Sequence, residues 1–337
     1  MTETDGAPGA AAVASYQHWH GIPTFLKCSP DPDLSVAEVG LVGVPLAVGN
    51  GIERGQYLGP RAVRTMSMGH HRSHRAMRFD PFAACEIRDL GDVTAVNALR
   101  MPLAIDDVTS FFRRVDAQGI RPVSVGGDHS VLIGILRGIA GAGSRVGGPV
   151  GLVHFDAHTD YYPSLAPDGF VHGGAFNLLV EEGQVDPHRM VQIGVRGPMA
   201  SLAQDDAAHA AGIRVIEQTE LDKIGPDRVV QEVRRVVGDG PVYVTFDLDA
   251  LDPIYAPAVA DPEAAGMSIK DALRILQGLR GLDIIGGDVV EFCPAHDVRG
   301  GPSGGGLTTY HATTLFYELV CLVADRVAAD GGSPGSS

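Results

Sequence analysis

The sequence predicts an α/β fold: a single domain with a mainly parallel central sheet flanked by helices on both faces. Three observations carry this expectation. Six short runs rich in Val, Ile and Leu recur along the chain, helix-like stretches fill the gaps between them, and no Pro/Gly-rich linker or fixed-period repeat divides the middle. Strands covered on both faces read as nearly continuous apolar runs. Strand and helix in alternation imply crossovers that pack on the two faces of a parallel sheet.

Taken in order, residues 1–15 are rich in Ala, Gly and small polar residues and lack the apolar content to pack, so a disordered N-terminal segment is expected. The folded domain should span 16–329, followed by a disordered tail over 330–337 that reads Asp-Gly-Gly-Ser-Pro-Gly-Ser-Ser. Strands are expected in EVGLVGVPL (38–46), RPVSVGG (121–127), VGLVHFDAH (150–158), MVQIGVRG (190–197), PVYVTFDLD (241–249) and DIIGGDVVEF (283–292). Helices are expected over 104–117, 130–139, 226–237, 268–279 and 307–328. The helix near Ser268 opens Ser-Ile-Lys-Asp, an N-cap with an acid at the third following position.

With 337 residues, 45% of them hydrophobic and 20% charged, the chain can bury one large core. A formal charge of −15 argues against a nucleic-acid partner, because phosphate binding needs clustered Lys and Arg. The acidity suits a cationic substrate and serves solubility equally well. Cys28, Cys85, Cys293 and Cys321 form no Cys-x-x-Cys pair, so neither a disulfide framework nor a zinc knuckle is suggested. The N-terminus carries Asp and Glu where a secretory signal needs basic residues, and no apolar run spans a bilayer. No membrane association and a cytoplasmic location are therefore expected.

In open parallel sheets, chemistry gathers beyond the carboxyl ends of the strands. Three expected strand ends carry clustered His and Asp: Gly126-Gly127-Asp128-His129-Ser130, then His154-Phe155-Asp156-Ala157-His158-Thr159-Asp160, then Phe246-Asp247-Leu248-Asp249-Ala250-Leu251-Asp252-Pro253. In extended backbone, residues two apart share a face, so Asp156, His158 and Asp160 can converge, as can Asp247 and Asp249. Like charges crowded in a desolvated place raise one another's pKa, and two divalent cations would remove that penalty. Carboxylates and imidazoles without a thiolate fit Mn²⁺ and leave Zn²⁺, Ni²⁺ and Fe²⁺ open. Asp128 and His154 flank these residues, either as hydrogen-bond partners that fix ligand orientation or as ordinary buried polar groups. Asp252, before Pro253, reads as a turn residue.

GGDHS, HFDAHTD and FDLDALDP resemble the three signature segments of the ureohydrolase (arginase/agmatinase) family, in that family's order, and VVEFCP around Glu291 resembles its later acidic segment. The resemblance runs from about Glu38 to Val327. It implies an arginase-like three-layer α/β/α fold and a binuclear manganese centre. One ion would be held by His129, Asp156, Asp160 and Asp247, the other by Asp156, His158, Asp247 and Asp249. It also implies hydrolysis of a guanidino compound to urea and an amine, in a trimer or hexamer. Asp160 would pass a proton to the departing amine, Glu291 would orient the guanidinium, and His172 would shuttle protons.

VQIGVRG around Arg196 and the stretch Gly21-Ile22-Pro23-Thr24-Phe25 resemble the agmatinase-type branch, whose substrates include agmatine and guanidino acids. Arginine itself fits less well, because the loop 161–170 lacks the Asn that arginine-specific members carry there. Departures from the branch pattern at Gly173-Gly174-Ala175-Phe176 and over 256–263 point to an altered pocket mouth, with Tyr161, Tyr162, Asp168 and Glu263 as candidate contacts to the substrate tail. The rival expectations are a formimino-group or other C–N hydrolase of the same fold, and a catalytically silent polyamine-binding homologue.

Overall fold

The computed structural model describes residues 21–49, 55–96, 99–162, 170–199, 202–298 and 305–331. Among these, eight strands form one sheet: β1 (Val39–Gly43), β2 (Ile87–Asp92), β3 (Arg121–Val125), β4 (Val150–Phe155), β5 (Val185–Val195), β6 (Arg214–Glu217), β7 (Val242–Asp247) and β8 (Ile284–Val290). Their order is β2-β1-β3-β8-β7-β4-β5-β6, and every neighbouring pair is parallel.

Alternating side chains feed two separate cores. Val123, Val153, Phe155, Val191, Val244 and Phe246 face one side, where they meet helices Pro226–Val237, Ile269–Gly278 and Leu307–Gly331. Leu152, Met190, Tyr243 and Val290 face the other, against helices Met101–Ala117, Val131–Ile139 and Ala175–Glu181. Helices on both faces make the expected α/β/α layering, and each buried Val or Leu adds roughly 1.5–3 kcal/mol of transfer free energy.

All six expected strands are present; β2 and β6 come in addition, and both are edge strands. β5 begins five residues before its apolar run, at Val185. Asp330 and Gly331, placed by sequence in a disordered tail, close the last helix, where Asp330 pairs with Arg121 and Arg326. Residues 1–15 and 332–337 lie outside the described residues. No helix of the described residues is long and apolar enough to cross a membrane.

The sheet order explains why the polar clusters meet. β3, β8, β7 and β4 are consecutive neighbours, so the loops leaving their carboxyl ends, which bear His129, Glu291, Asp247 and Asp156, open onto one place.

Candidate metal centre

After β3 the chain turns through Gly126-Gly127. A Cβ on Gly127 would lie 1.8 Å from the Leu46 carbonyl oxygen, so only glycine lets the segment after β1 cross this strand end. Two site carboxylates sit on left-handed backbone, Asp160 at φ 44° and Glu291 at φ 62°. Such conformations cost non-glycine residues of order 1–3 kcal/mol and persist where neighbours enforce them. Here the Asp160 carbonyl accepts from Phe176 N at 3.3 Å, and Glu291 N donates to the Gly127 carbonyl at 2.9 Å.

The side chains converge in two groups. His129 Nδ1 lies 3.2 Å from Asp156 Oδ2, 3.3 Å from Asp160 Oδ2 and 3.3 Å from Asp247 Oδ2. His158 Nδ1 lies 3.3 Å from Asp156 Oδ1 and 3.1 Å from Asp249 Oδ2. Asp156 belongs to both groups. The four aspartates are almost fully buried and His129 entirely so, while the His158 side chain keeps 23% of its surface.

One atom tests whether a cation fits. His129 Nε2 faces Thr245 Oγ1 at 2.9 Å, and that hydroxyl gives its own proton to Asp288 Oδ1 at 2.6 Å. The hydroxyl must therefore accept from Nε2–H, which leaves the neutral ring's lone pair on Nδ1. Nδ1 is buried without a hydrogen-bond partner and looks at three carboxylate oxygens. Lone pair against anions is repulsive, and a metal ion between them reverses the sign. Asp156, His158 and Asp249 satisfy the same requirement on the other side.

The electrostatics agree. Burial, then the charges of Asp249 and Asp156, push Asp247 well above the usual carboxylate range, and burial with the Asp156 charge raises Asp249 to about 6. Burial opposes a proton on His129, yet Asp156, Asp160 and Asp247 outweigh it and raise its pKa well above 6.5. Against the same burial, His154, His129 and His158 hold Asp156 well below the usual range. The cluster retains protons where an ion would sit.

His154 also lies close to His129 and Asp156. Its Nε2 is 2.7 Å from Asp156 Oδ2 and its Nδ1 meets Gln192 Nε2 at 3.1 Å, so neither nitrogen is free to bind an ion. His154 is thus a hydrogen-bond partner of a candidate ligand residue. Asp128 is held by backbone amides instead: Oδ2 accepts from Gly49 N at 2.7 Å and Oδ1 from Ser130 N at 3.1 Å. It ties the β1 loop to the start of helix Val131–Ile139. Asp252 accepts from the Ile254 and Gly266 amides, as a turn residue does.

Glu291 is buried, accepting from His129 N at 2.8 Å and from Gln56 Nε2 at 3.1 Å; burial and the Asp128 charge raise its pKa to about 8. His172 is anchored by its backbone N (3.2 Å) and by Nδ1 (3.1 Å) to the Gly49 carbonyl. Burial lowers its pKa, but Asp160 and Glu291 more than compensate and the net shift is upward. A cavity of about 320 Å³ opens beside the cluster, lined by His158, Thr159, Tyr162, Arg196, Met199 and Glu217, among others. A larger one, about 600 Å³, lies at the opposite strand ends and contains no such ligand group.

The expected tail contacts fare differently. Tyr162 lines the 320 Å³ cavity. Tyr161 does not: its side chain is 6% exposed and packs in the core with Phe176 and Leu179. Glu263 gives its carbonyl to Arg196 at 2.7 Å and is not among the lining residues, while Asp168 lies outside the described residues. Ala175 and Phe176, expected near the pocket mouth, are fully buried, with Phe176 packed 4.2 Å from the His154 ring and 5.1 Å from that of His129. In the altered segment 256–263, Ala256, Ala258, Val259 and Ala260 are buried, Pro257, Asp261 and Glu263 are half-buried and Pro262 is exposed.

Sequence reasoning missed Gly49, Gln192, Thr245 and Asp288. Three of these are polar residues inside apolar strands, a visible interruption whose partners need the register. Arg196, noted only within a motif, donates to the carbonyls of Asp249, Ala250, Glu263 and Ala264 and so clamps the loop that carries Asp249.

The arginase family model matches residues 37–321 of this chain. Guanidinopropionase of Pseudomonas aeruginosa is 40% identical over 95% of the chain and 98% of its own length. The mitochondrial agmatinase of Gallus gallus is 35% identical over 90% and 86%. Among solved structures, proclavaminate amidino hydrolase from Streptomyces clavuligerus superposes with a TM-score of 0.84 at 31% identity, covering 92% of this chain and 99% of that one.

Proposed function

The chain belongs to the arginase family, and from that premise we propose that it is a binuclear manganese amidinohydrolase cleaving a guanidino acid or agmatine to urea and the corresponding amine. The observation that carries this reading is the buried His129 Nδ1, without a hydrogen-bond partner and faced by Asp156, Asp160 and Asp247.

His129, Asp156, Asp160 and Asp247 would hold one ion, and Asp156, His158, Asp247 and Asp249 the other. When bound, a pair of dications makes water a nucleophile at neutral pH. The remaining work falls to this chain's own groups. Glu291, buried and fixed by two donors, orients the planar guanidinium, whose charge favours the carboxylate form. Asp160 holds the proton of the attacking water and passes it to the departing amine. His172, pinned through Nδ1 to Gly49, carries protons at Nε2. The cavity beside His158 and Tyr162 receives the tail of the substrate.

The 40% identity to a guanidinopropionase supports a guanidino acid as the first substrate to try. Urea release should be measured with guanidinopropionate, guanidinobutyrate, agmatine, arginine and guanidine, beside a formimino substrate. Urea from a guanidino acid or agmatine, with little from arginine, supports the proposal. Turnover of the formimino compound alone, or of none, defeats it. Assembly as a cytoplasmic trimer or hexamer belongs to the same proposal and is checked by light scattering.

A further inference from the structure

Beneath the metal centre a row of polar side chains crosses the buried sheet. Ser124 of β3 is the register partner of Asp288 in β8, Asp288 of Thr245 in β7, Thr245 of His154 in β4, and His154 of Gln192 in β5. All five are fully buried, and their chain neighbours Val123, Val125, Val153, Phe155, Val191 and Ile193 face the opposite core. At its middle the row reaches His129 through Thr245, as described above. We propose that Gln192, at the β5 end of the row, is a positioning residue, which acts through His154 to hold Asp156 in the orientation that serves both halves of the cluster.

The argument follows from what each atom can do. Gln192 Nε2 faces two groups at once, the Thr159 backbone carbonyl and His154 Nδ1 at 3.1 Å. A carbonyl oxygen only accepts, so the amide must present its NH₂ to it; the flipped amide would set oxygen against oxygen. The same NH₂ therefore donates to His154 Nδ1, and the single proton of the neutral ring resides on Nε2. That proton points at Asp156 Oδ2, 2.7 Å away. Asp156 Oδ1 meanwhile accepts from His158 N. With a donor on each oxygen the carboxylate cannot rotate, and it turns Oδ2 toward His129 and Oδ1 toward His158. Phe176, packed 4.2 Å from the His154 ring, holds the ring in its plane.

The inference rests on the two-metal reading above, and the experiment separates their failures. Full-length wild type, Gln192→Met and Gln192→Glu are compared by Mn²⁺ calorimetry and by nitrogen NMR of the His154 ring. Met keeps the length and removes the donor; Glu places an acceptor at Nδ1. Partners that orient metal ligands typically contribute about 10- to 100-fold in affinity. Gln192→Met is expected to weaken Mn²⁺ binding by that factor with its melting transition retained, and Gln192→Glu to draw the His154 proton onto Nδ1. Combined with His154→Phe, Gln192→Met should weaken binding no further, because the linkage is already broken. Unchanged Mn²⁺ affinity in a folded Gln192→Met, additive losses in the double variant, or a wild-type His154 protonated on Nδ1 would each overturn the inference. If Gln192→Met does not fold, Gln192→Glu carries the same test. Wild type that binds no Mn²⁺ refutes the proposed function, and the tautomer then decides the linkage by itself.

Discussion

The two ends of the sheet treat charge in opposite ways. At the amino ends of the strands, Arg121 pairs with Asp283 at 3.2 Å and with Asp330 at 2.8 Å, and Arg326 reaches the same two acids, with side chains 21–43% exposed. Each of these four charges has an opposite neighbour and water within reach. At the carboxyl ends, Asp156, Asp160, Asp247 and Asp249 are at most 4% exposed, and their charged or titratable neighbours are each other and three histidines, His129, His154 and His158. Partnered charges near water contribute little either way. Buried like charges persist only if something of opposite sign joins them. The first arrangement is a surface; the second is a site.

Substitutions should expose that contrast. Asp156→Ala and Asp247→Ala are expected to abolish Mn²⁺ binding and urea release together, and full activity in either variant contradicts the assignment. His172→Ala should lower turnover by about 10²- to 10⁴-fold, the usual scale for a proton-transfer group, with metal content unchanged. Loss of metal there would make His172 a ligand instead.

The effect of pH comes next. Asp249 at about 6 and Glu291 at about 8 keep protons that the unfolded chain has already released near pH 4, and His129 is raised as well. The folded, metal-free protein thus binds more protons than the unfolded chain, so its stability should fall as pH rises from about 4 toward 8. Mn²⁺ competes for the same groups, so its affinity should rise over that window. At 100 times Kd the ion should add about 2.7 kcal/mol. Chelated and loaded protein, unfolded in urea at several pH values, would show both slopes; parallel slopes would mean that the protons and the ion do not share a place. The smallest effect belongs to the other end: Arg121→Ala should shift stability by about 1 kcal/mol or less and leave urea release unchanged.

How much could be read in advance follows the same division. The six strands recognised from apolar runs are all interior to the sheet, covered on both faces and flanked on both edges. The two that escaped notice, β2 (IRDLGD) and β6 (RVIE), are its edges, where a strand can be short and polar and no continuous Val/Ile/Leu run is required. The candidate ligand aspartates and histidines were legible because they crowd at strand ends, but β4 stops at Phe155, Asp160 is left-handed and Asp249 lies in the 3-10 turn Leu248–Ala250, so tight turns rather than strand alternation bring them together. Gln192, Thr245 and Asp288 were not legible, because a single polar residue within a strand acquires meaning only from its cross-strand partner. Tyr161 misleads for a related reason: loop position suggests a contact with the substrate tail, whereas its side chain packs into the core.

The central claim is that this convergence of acids and imidazoles is a place for two dications. Anomalous diffraction at the manganese edge, from crystals of the full chain grown with Mn²⁺, tests it most directly. Two peaks are predicted, one beside His129 Nδ1 and one beside His158 Nδ1, with Asp156 and Asp247 between them. A single peak, peaks elsewhere, or none while the same protein releases urea would contradict it.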